Sequence, residues 1–493
     1  MANGMKINRT LRMIVLSVLL LVVLFSVSAG AESYENYVYD SDGKAAAEPQ
    51  AYVWDGKITG EDLGAGTLNS PKDVFVYKDE KIYISDTGNN RVIELDGNYN
   101  LVRVIDSVNN NGTKEQLNQP NSVFRTEETI YIADTGNARI IKLDDDLNLL
   151  NTYGKPDSKL ITEDFTYEPI DIAVDSAGRM FIVSKNVNNG IIELAEDGEF
   201  VGFVGSVKAK LSIFEMIWRA VASDKQREKM SLSVPTEHAC VDIDEQGFIY
   251  TTVSAVNEDN YMPEIFVSRI NPIGRDVLKR NGFSAPMGDV EVLTDRSYSK
   301  QYSVLVDVTV RGSGIYSVLD QRMGRIFTYD SNGELMYVFG ALGDNEGQFG
   351  MPEAIDTLNR DIFLVVDSRY NWISIFKPTN YGAIVTQAVA SYYNRDYDKA
   401  DELWSEALKY TSKSDLAFNG LGKSYLKKSE YGKAMSYFKS SDDRKNYSDA
   451  LEGYRSELIS ENFNLIVAII ALLVVLLILR NILRKRRARK AGK

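Results

Sequence analysis

The chain has 493 residues, 44% hydrophobic and 25% charged, which is ordinary globular usage with length for two or three domains. Its net charge of −13 argues against nucleic acid as a partner. One cysteine, Cys240, excludes an intrachain disulfide, and one histidine, His238, excludes HExxH zinc chemistry and sites built on two or three histidines. The charge is also segregated. Residues 1–31 hold three basic residues and no acid, residues 480–493 hold eight and no acid, and the body between carries −24.

The N-terminus reads as a secretory signal peptide over 1–31. Lys6, Arg9 and Arg12 precede an apolar run over 13–27, and Ala29-Gly30-Ala31 offers a small-x-small cleavage site. Residues 32–50 read as a linker.

From about residue 51 the text repeats. Asp86-Thr-Gly-Asn-Asn-Arg91 returns as Asp134-Thr-Gly-Asn-Ala-Arg139, and Pro71, Pro120 and Pro169 are 49 residues apart. Each period holds four short runs rich in β-branched and aromatic residues, separated by Gly, Asn and Asp. Four strands in 40–50 residues make a propeller blade. Later copies fall near 171–204, 235–280, 307–339 and 352–376. The last stops after three strands at Pro378. Tyr52-Val-Trp-Asp-Gly resembles the fourth strand of the fifth copy, Tyr337-Val-Phe-Gly-Ala, so an N-terminal strand is expected to complete the sixth blade and close the ring. The fold expected over 51–378 is therefore a mainly β, six-bladed propeller.

Asp-Thr-Gly-Asn-x-Arg after an Ile-Tyr-Ile strand, with a proline about 15 residues upstream, resembles the NHL-repeat propellers. Gly343 to Pro352 resembles the linker that such repeats place before a blade. The motif is best matched in copies one, two and six. Ser184 replaces the motif aspartate in copy three. The motif Asp and Arg are read as satisfying turn amides and pairing locally.

Residues 207–233 form a longer insert between copies three and four. Leu211, Phe214, Trp218 and Val221 make an apolar helical stripe, and basic residues outnumber acids there. It reads as a helix packed on a blade edge, or as a docking element, a lid or a bilayer contact.

Over 381–458 the pattern becomes helical. Ala400 and Ala434 are 34 residues apart, as are Trp404 and Phe438, and this spacing resembles tetratricopeptide repeats. A short helical TPR-like domain is expected there, either a spacer or a partner-binding surface. Residues 463–483 are apolar enough to cross a bilayer. The basic tail over 484–493 places the C-terminus in the cytoplasm and the large domain outside it.

Propellers bind at the channel mouth. The position two after the blade proline carries Asp73, Ser122, Asp171 and Asp307, and Ala354 in the sixth copy. In the fourth copy Glu237 or Cys240 could fill it, and Glu237 joins the binding set. These acids could hold Ca²⁺, bond a sugar, receive a basic peptide, or satisfy backbone donors. No catalytic residue is assigned. His238 and Cys240 read as buried rather than as a nucleophile pair. The expectation is a single-pass, bacterial-type membrane protein whose propeller binds a protein, peptide or glycan, as an accessory to a transport or signalling complex. The alternative is a divalent-metal-dependent lactone hydrolase. Resemblance to the gluconolactonase-like propellers implies a Glu, Asn and Asp over the channel, a trio that no motif here identifies.

Overall fold

A computed structural model describes residues 34–158, 160–161, 165–187, 189–205, 237–254, 262–290, 293–294 and 300–491. The expected signal peptide and the 207–233 insert lie outside the described residues.

Six antiparallel sheets form the blades of a propeller. Their inner strands are Asp73–Tyr77, Pro120–Arg125, Pro169–Val174, Asp242–Ile243, Leu305–Val310 and Pro352–Leu358. Five blades have four strands, and blade 4 has three among the described residues. Central strands such as Ile130–Asp134 and Tyr316–Asp320 are buried on both faces, so they are near-continuous apolar runs rather than alternating ones. Blade 6 takes its outer strand from the N-terminus. Tyr52–Thr59 pairs antiparallel with Trp372–Pro378, which closes the ring.

The motif is a fastener. Asp86 accepts from the Asn69 N–H at 2.7 Å, Asn89 Nδ2 at 2.9 Å and Arg91 Nε at 2.6 Å. Asp134 repeats this with Asn118, Asn137 and Arg139, each at 2.8 Å. Gly88 is required because a Cβ there would lie 2.6 Å from the Asn69 carbonyl. Thr87 Oγ1 donates to the Pro120 carbonyl at 2.7 Å, joining blade 1 to blade 2. In blade 3 Ser184 Oγ accepts the Glu168 N–H at 3.1 Å, so the serine keeps the turn contact that the motif aspartate makes elsewhere.

The segment expected as a linker over 32–50 is structured instead. Asn36–Tyr39 and Ala45–Glu48 form a hairpin. Tyr37, Val38 and Tyr39 are buried, and Asn36 Oδ1 accepts the Val338 N–H of blade 5's outer strand at 2.8 Å. The physical reason is that this outer strand is itself fully buried and needs a cover.

Five helices follow: α1 Asn380–Tyr393, α2 Tyr397–Ala407, α3 Asp415–Lys427, α4 Tyr431–Ser440 and α5 Arg444–Glu461. Thr379, Asp396, Ser414 and Asp443 cap four of them by accepting main-chain N–H groups. Ala400 and Ala434 are fully buried, and Trp404 and Phe438 fill the space beside Gly420 and Gly422. The helices dock on blade 5 and on the N-terminal hairpin through the Lys423–Glu334 ion pair, the Tyr381–Glu48 hydrogen bond at 2.7 Å and Tyr337 against Thr386 at 3.1 Å. Helix α5 ends at Asn462 and α6, Phe463–Ala491, begins at once. Its stretch Phe463–Arg487 is 25 residues long and contains an 18-residue window of mean hydropathy 3.0, none of it buried. At ~1.5 Å per residue that is about 37 Å, enough for a bilayer.

Candidate functional site

All six inner strands run the same way along the axis, so their first residues converge at one end of the channel. There they line a cavity of about 270 Å³. Asp73, Ser122, Asp171, Glu237 and Asp307, the five residues singled out from sequence, all lie in its wall, with Cys240 and Ala354.

The pairing register corrects one assignment. Pro120 opposes Asp134, Pro169 opposes Ser184 and Pro352 opposes Asp367, and in blade 4 His238 opposes Val253. His238 therefore holds the blade-start position, and the residue two after it is Cys240. Glu237 precedes the start and reaches the cavity from the rim. In the sequence the nearest proline, Pro235, stands three residues before this start rather than at it, so counting two from the proline gives Glu237 instead of Cys240.

The aspartates have a shared task. Asp73 accepts the Val123 N–H at 2.9 Å, joining blades 1 and 2. Asp171 takes Ser122 Oγ at 2.7 Å and the Val241 N–H at 2.6 Å, joining blade 3 to both neighbours. Asp307 accepts the Ile355 N–H at 2.7 Å, joining blades 5 and 6. A second layer, two residues further along, completes the ring. Asp242 accepts the Val310 N–H at 2.9 Å and Asp356 the Val76 N–H at 2.6 Å. Every seam is thus bridged by a carboxylate at the axis. Ser, Cys and Ala on the alternate blades leave room for the neighbouring aspartate to cross. Sequence reasoning missed Asp242 and Asp356, because the corresponding positions elsewhere are Phe75, Phe124, Ala173 and Thr309 and hold no aspartate.

Crowding sets the electrostatics. Burial, then the charge of Asp171, pushes the Asp73 carboxyl up to about 8. Burial and Asp356 push Asp242 to about 8. Burial raises Asp171 and Asp356 to about 6, and Asp307 well above the usual carboxylate range. The channel wall is therefore partly protonated near neutrality.

The rim adds polar side chains that follow the blade prolines. Lys72 pairs with Glu353 at 2.6 Å, and Glu353 also accepts Ser368 Oγ at 2.6 Å and Gln321 Nε2 at 3.3 Å. The signal was present in the sequence: Lys72 follows Pro71 as Glu353 follows Pro352. Burial pushes the Cys240 thiol well up, and its Sγ lies 3.2 Å from Thr252 Oγ1. His238 is bonded at Nδ1 to Thr251 Oγ1 at 2.9 Å and at Nε2 to the Gly205 carbonyl at 3.0 Å, and burial lowers its pKa to about 4. Among the described residues no three His, Cys, Asp or Glu side chains group closely enough to hold a metal ion. The axial carboxylates are committed to backbone donors, so they do not fit a Ca²⁺ cage, which needs six to eight oxygens aimed at one point.

The sequence matches no family profile and no curated protein. Solved structures do resemble its propeller. A streptogramin B lyase aligns at 12% identity over 67% of this chain and 98% of its own, with a TM-score of 0.41. Virginiamycin B lyase from Staphylococcus aureus aligns at 11% over 66% and 99%, with a TM-score of 0.40. The WD40 β-propeller domain of Doa1 aligns at 9% over 68% and 99%, with a TM-score of 0.41. This chain is a mainly β, six-bladed propeller followed by a helical segment and one apolar C-terminal helix.

Proposed function

We propose that this is a single-pass membrane protein that holds a ligand-binding propeller outside the cytoplasm. Residues 1–31 direct export, α6 anchors the chain, and the basic tail stays in the cytoplasm. The blades are NHL-like and the five helices a TPR-like stalk. The ligand is a protein, peptide or glycan taken at the channel mouth, and the chain serves as an accessory to a membrane complex.

One observation carries this. The inner-strand starts of all six blades meet in an open, polar cavity whose acidic groups are tied up in holding the ring together, while Lys72, Lys185, Glu237 and Glu353 furnish charge at its rim. Such a mouth recognises by hydrogen bonding and charge, and among the described residues His238 and Cys240 are both tied into the blade. The test is crosslinking and pull-down of the full-length chain from native membranes, alongside the double variant Lys185→Glu, Glu237→Lys. Recovery of a partner by the wild type and its loss in the variant support the proposal. A partner retained equally by both removes the mouth as the binding site. Protease accessibility from the outer side of intact cells checks the topology, and protection of the propeller would overturn it.

A further inference from the structure

A second cavity opens at the opposite end of the axis. It has a volume of about 260 Å³. The first cavity is lined by residues that begin the inner strands. This one is lined by Ile243 and Val310, which end them, by the turns that follow, and by Tyr393 and Asn394 from the end of α1.

Three arginines line it, and they differ in what they have left to give. Arg311 is fixed: Nε donates to the Arg360 carbonyl at 2.8 Å, and Nη2 donates to Tyr52 Oη at 2.8 Å and Asp361 at 2.7 Å. Its side chain is 1% exposed, so it is framework. Arg269 lies 3.8 Å above the Phe248 ring and gives one bond to Asp244, at 2.9 Å. Its Nε has no partner among the described residues. Among the described residues the Arg360 side chain is held only through Glu245 at 2.9 Å, and both side chains are largely exposed. A pair so screened by water is given up at little cost to an incoming anion.

The main chain adds donors. Gly312, Ser313 and Gly314 have φ of 83°, 51° and 71°. The left-handed Gly312 also lets Arg360 approach, since a Cβ there would stand 3.2 Å from its Nη1. The N–H groups of Ser313 and Gly314 take no partner among the described residues. Acceptors are spent by contrast. Asp244 Oδ1 takes the Gln246 and Phe248 N–H groups and Oδ2 takes Arg269. The cavity has donors to spare, and guanidinium forks match the two oxygens of a carboxylate or phosphate.

We propose that this cavity binds a small oxyanion, a carboxylate or phosphate group, between Arg269, Arg360 and the Ser313–Gly314 amides. Because α1 supplies one wall, the bound anion touches the propeller and the helical segment together. The site is independent of the channel mouth, so its failure leaves the proposed function standing.

The test is calorimetric titration of the full-length chain in detergent with inorganic phosphate and, separately, with succinate at constant ionic strength. A saturable heat with either probe is expected, weakened about tenfold or more by Arg360→Gln. Binding of phosphate alone assigns the site to phosphate-bearing ligands, and binding of succinate alone to carboxylates. Arg360 is exposed, so its replacement leaves the fold intact, which far-UV circular dichroism checks. Lys114→Gln, on an exposed hairpin strand, controls for general charge and leaves binding unchanged. No saturable heat with either probe, or binding that Arg360→Gln leaves untouched, overturns the proposal.

Discussion

Blades 2 and 4 solve the same problem differently. In blade 2 the motif closes the turn on itself: Asp134 gathers a main-chain N–H, an asparagine and an arginine, and Thr135 Oγ1 donates to the Pro169 carbonyl of blade 3. In blade 4 Val253 stands where the aspartate would be. Threonines take over. Thr252 Oγ1 donates to the Leu305 carbonyl of blade 5 at 2.9 Å, and Thr251 Oγ1 to the Cys240 carbonyl at 2.7 Å. The motif blade contributes two residues, Asn121 and Ser122, to the mouth, while the divergent blade contributes Glu237, His238, Ala239, Cys240 and Ser254. Sequence regularity here marks the scaffold, and its loss marks where the mouth acquires its own chemistry.

The sharpest way to break this contrast is Asp134→Ala. It leaves Arg139 and a buried amide without their shared acceptor, and a loss of about 3–5 kcal/mol is expected in urea unfolding. A loss under about 1 kcal/mol would show that the motif does not fasten the blade.

The axial carboxylates give the next largest effect. Asp73 ordinarily titrates at 3.8 and here near 8. The folded state keeps a proton that the unfolded chain releases, so this group makes stability fall as pH rises from about 4 to 8. Asp73→Asn should flatten that slope and raise stability at pH 8 by about 1–2 kcal/mol. Urea midpoints at pH 5 and pH 8 decide it, and an unchanged slope counts against the crowded axis.

Smaller effects separate the blades further. Ser184→Ala removes the acceptor for the Glu168 N–H and should cost about 1 kcal/mol, whereas Ser184→Asp restores the common residue and should cost nothing. Equal losses would mean that blade 3 cannot accommodate the carboxylate. Cys240 is the mildest case. Its thiol is buried with its pKa raised, so folded protein at pH 8 should resist iodoacetamide, and Cys240→Ser should cost about 1 kcal/mol. Rapid alkylation of folded protein would show that the cavity is open to that depth.

Much of this architecture could be read in advance because its signals are local and repeat. Strand runs recur with the blade, the closing strand announces itself through Tyr52 and Trp54, and the helical spacing survives in Ala400 and Ala434. What escaped lacks such a signal. The 36–48 hairpin owes its order to blade 5's buried outer strand, a partner some 300 residues away. Asp242 and Asp356 sit at a position that four other blades fill with unlike residues. The arginine cavity joins turns of blades 4, 5 and 6 to the end of α1, so no window of sequence contains it.

The closing strand has a consequence in time. Tyr52 pairs with Pro378, so the ring stays open until nearly four-fifths of the chain exists. Until then five blades must wait with a gap between the first and the last. The next residues then latch it. The Thr379 N–H donates to the Ala51 carbonyl at 2.9 Å, Thr379 Oγ1 donates to the Gln50 carbonyl at 2.6 Å, and Gly382 packs directly on Ala51. Closure of the propeller and docking of α1 are thus one late event. A chain stopped before residue 379 would lack the latch, and the open ring, with its unpaired strand edge, is the state that quality-control proteases would meet first.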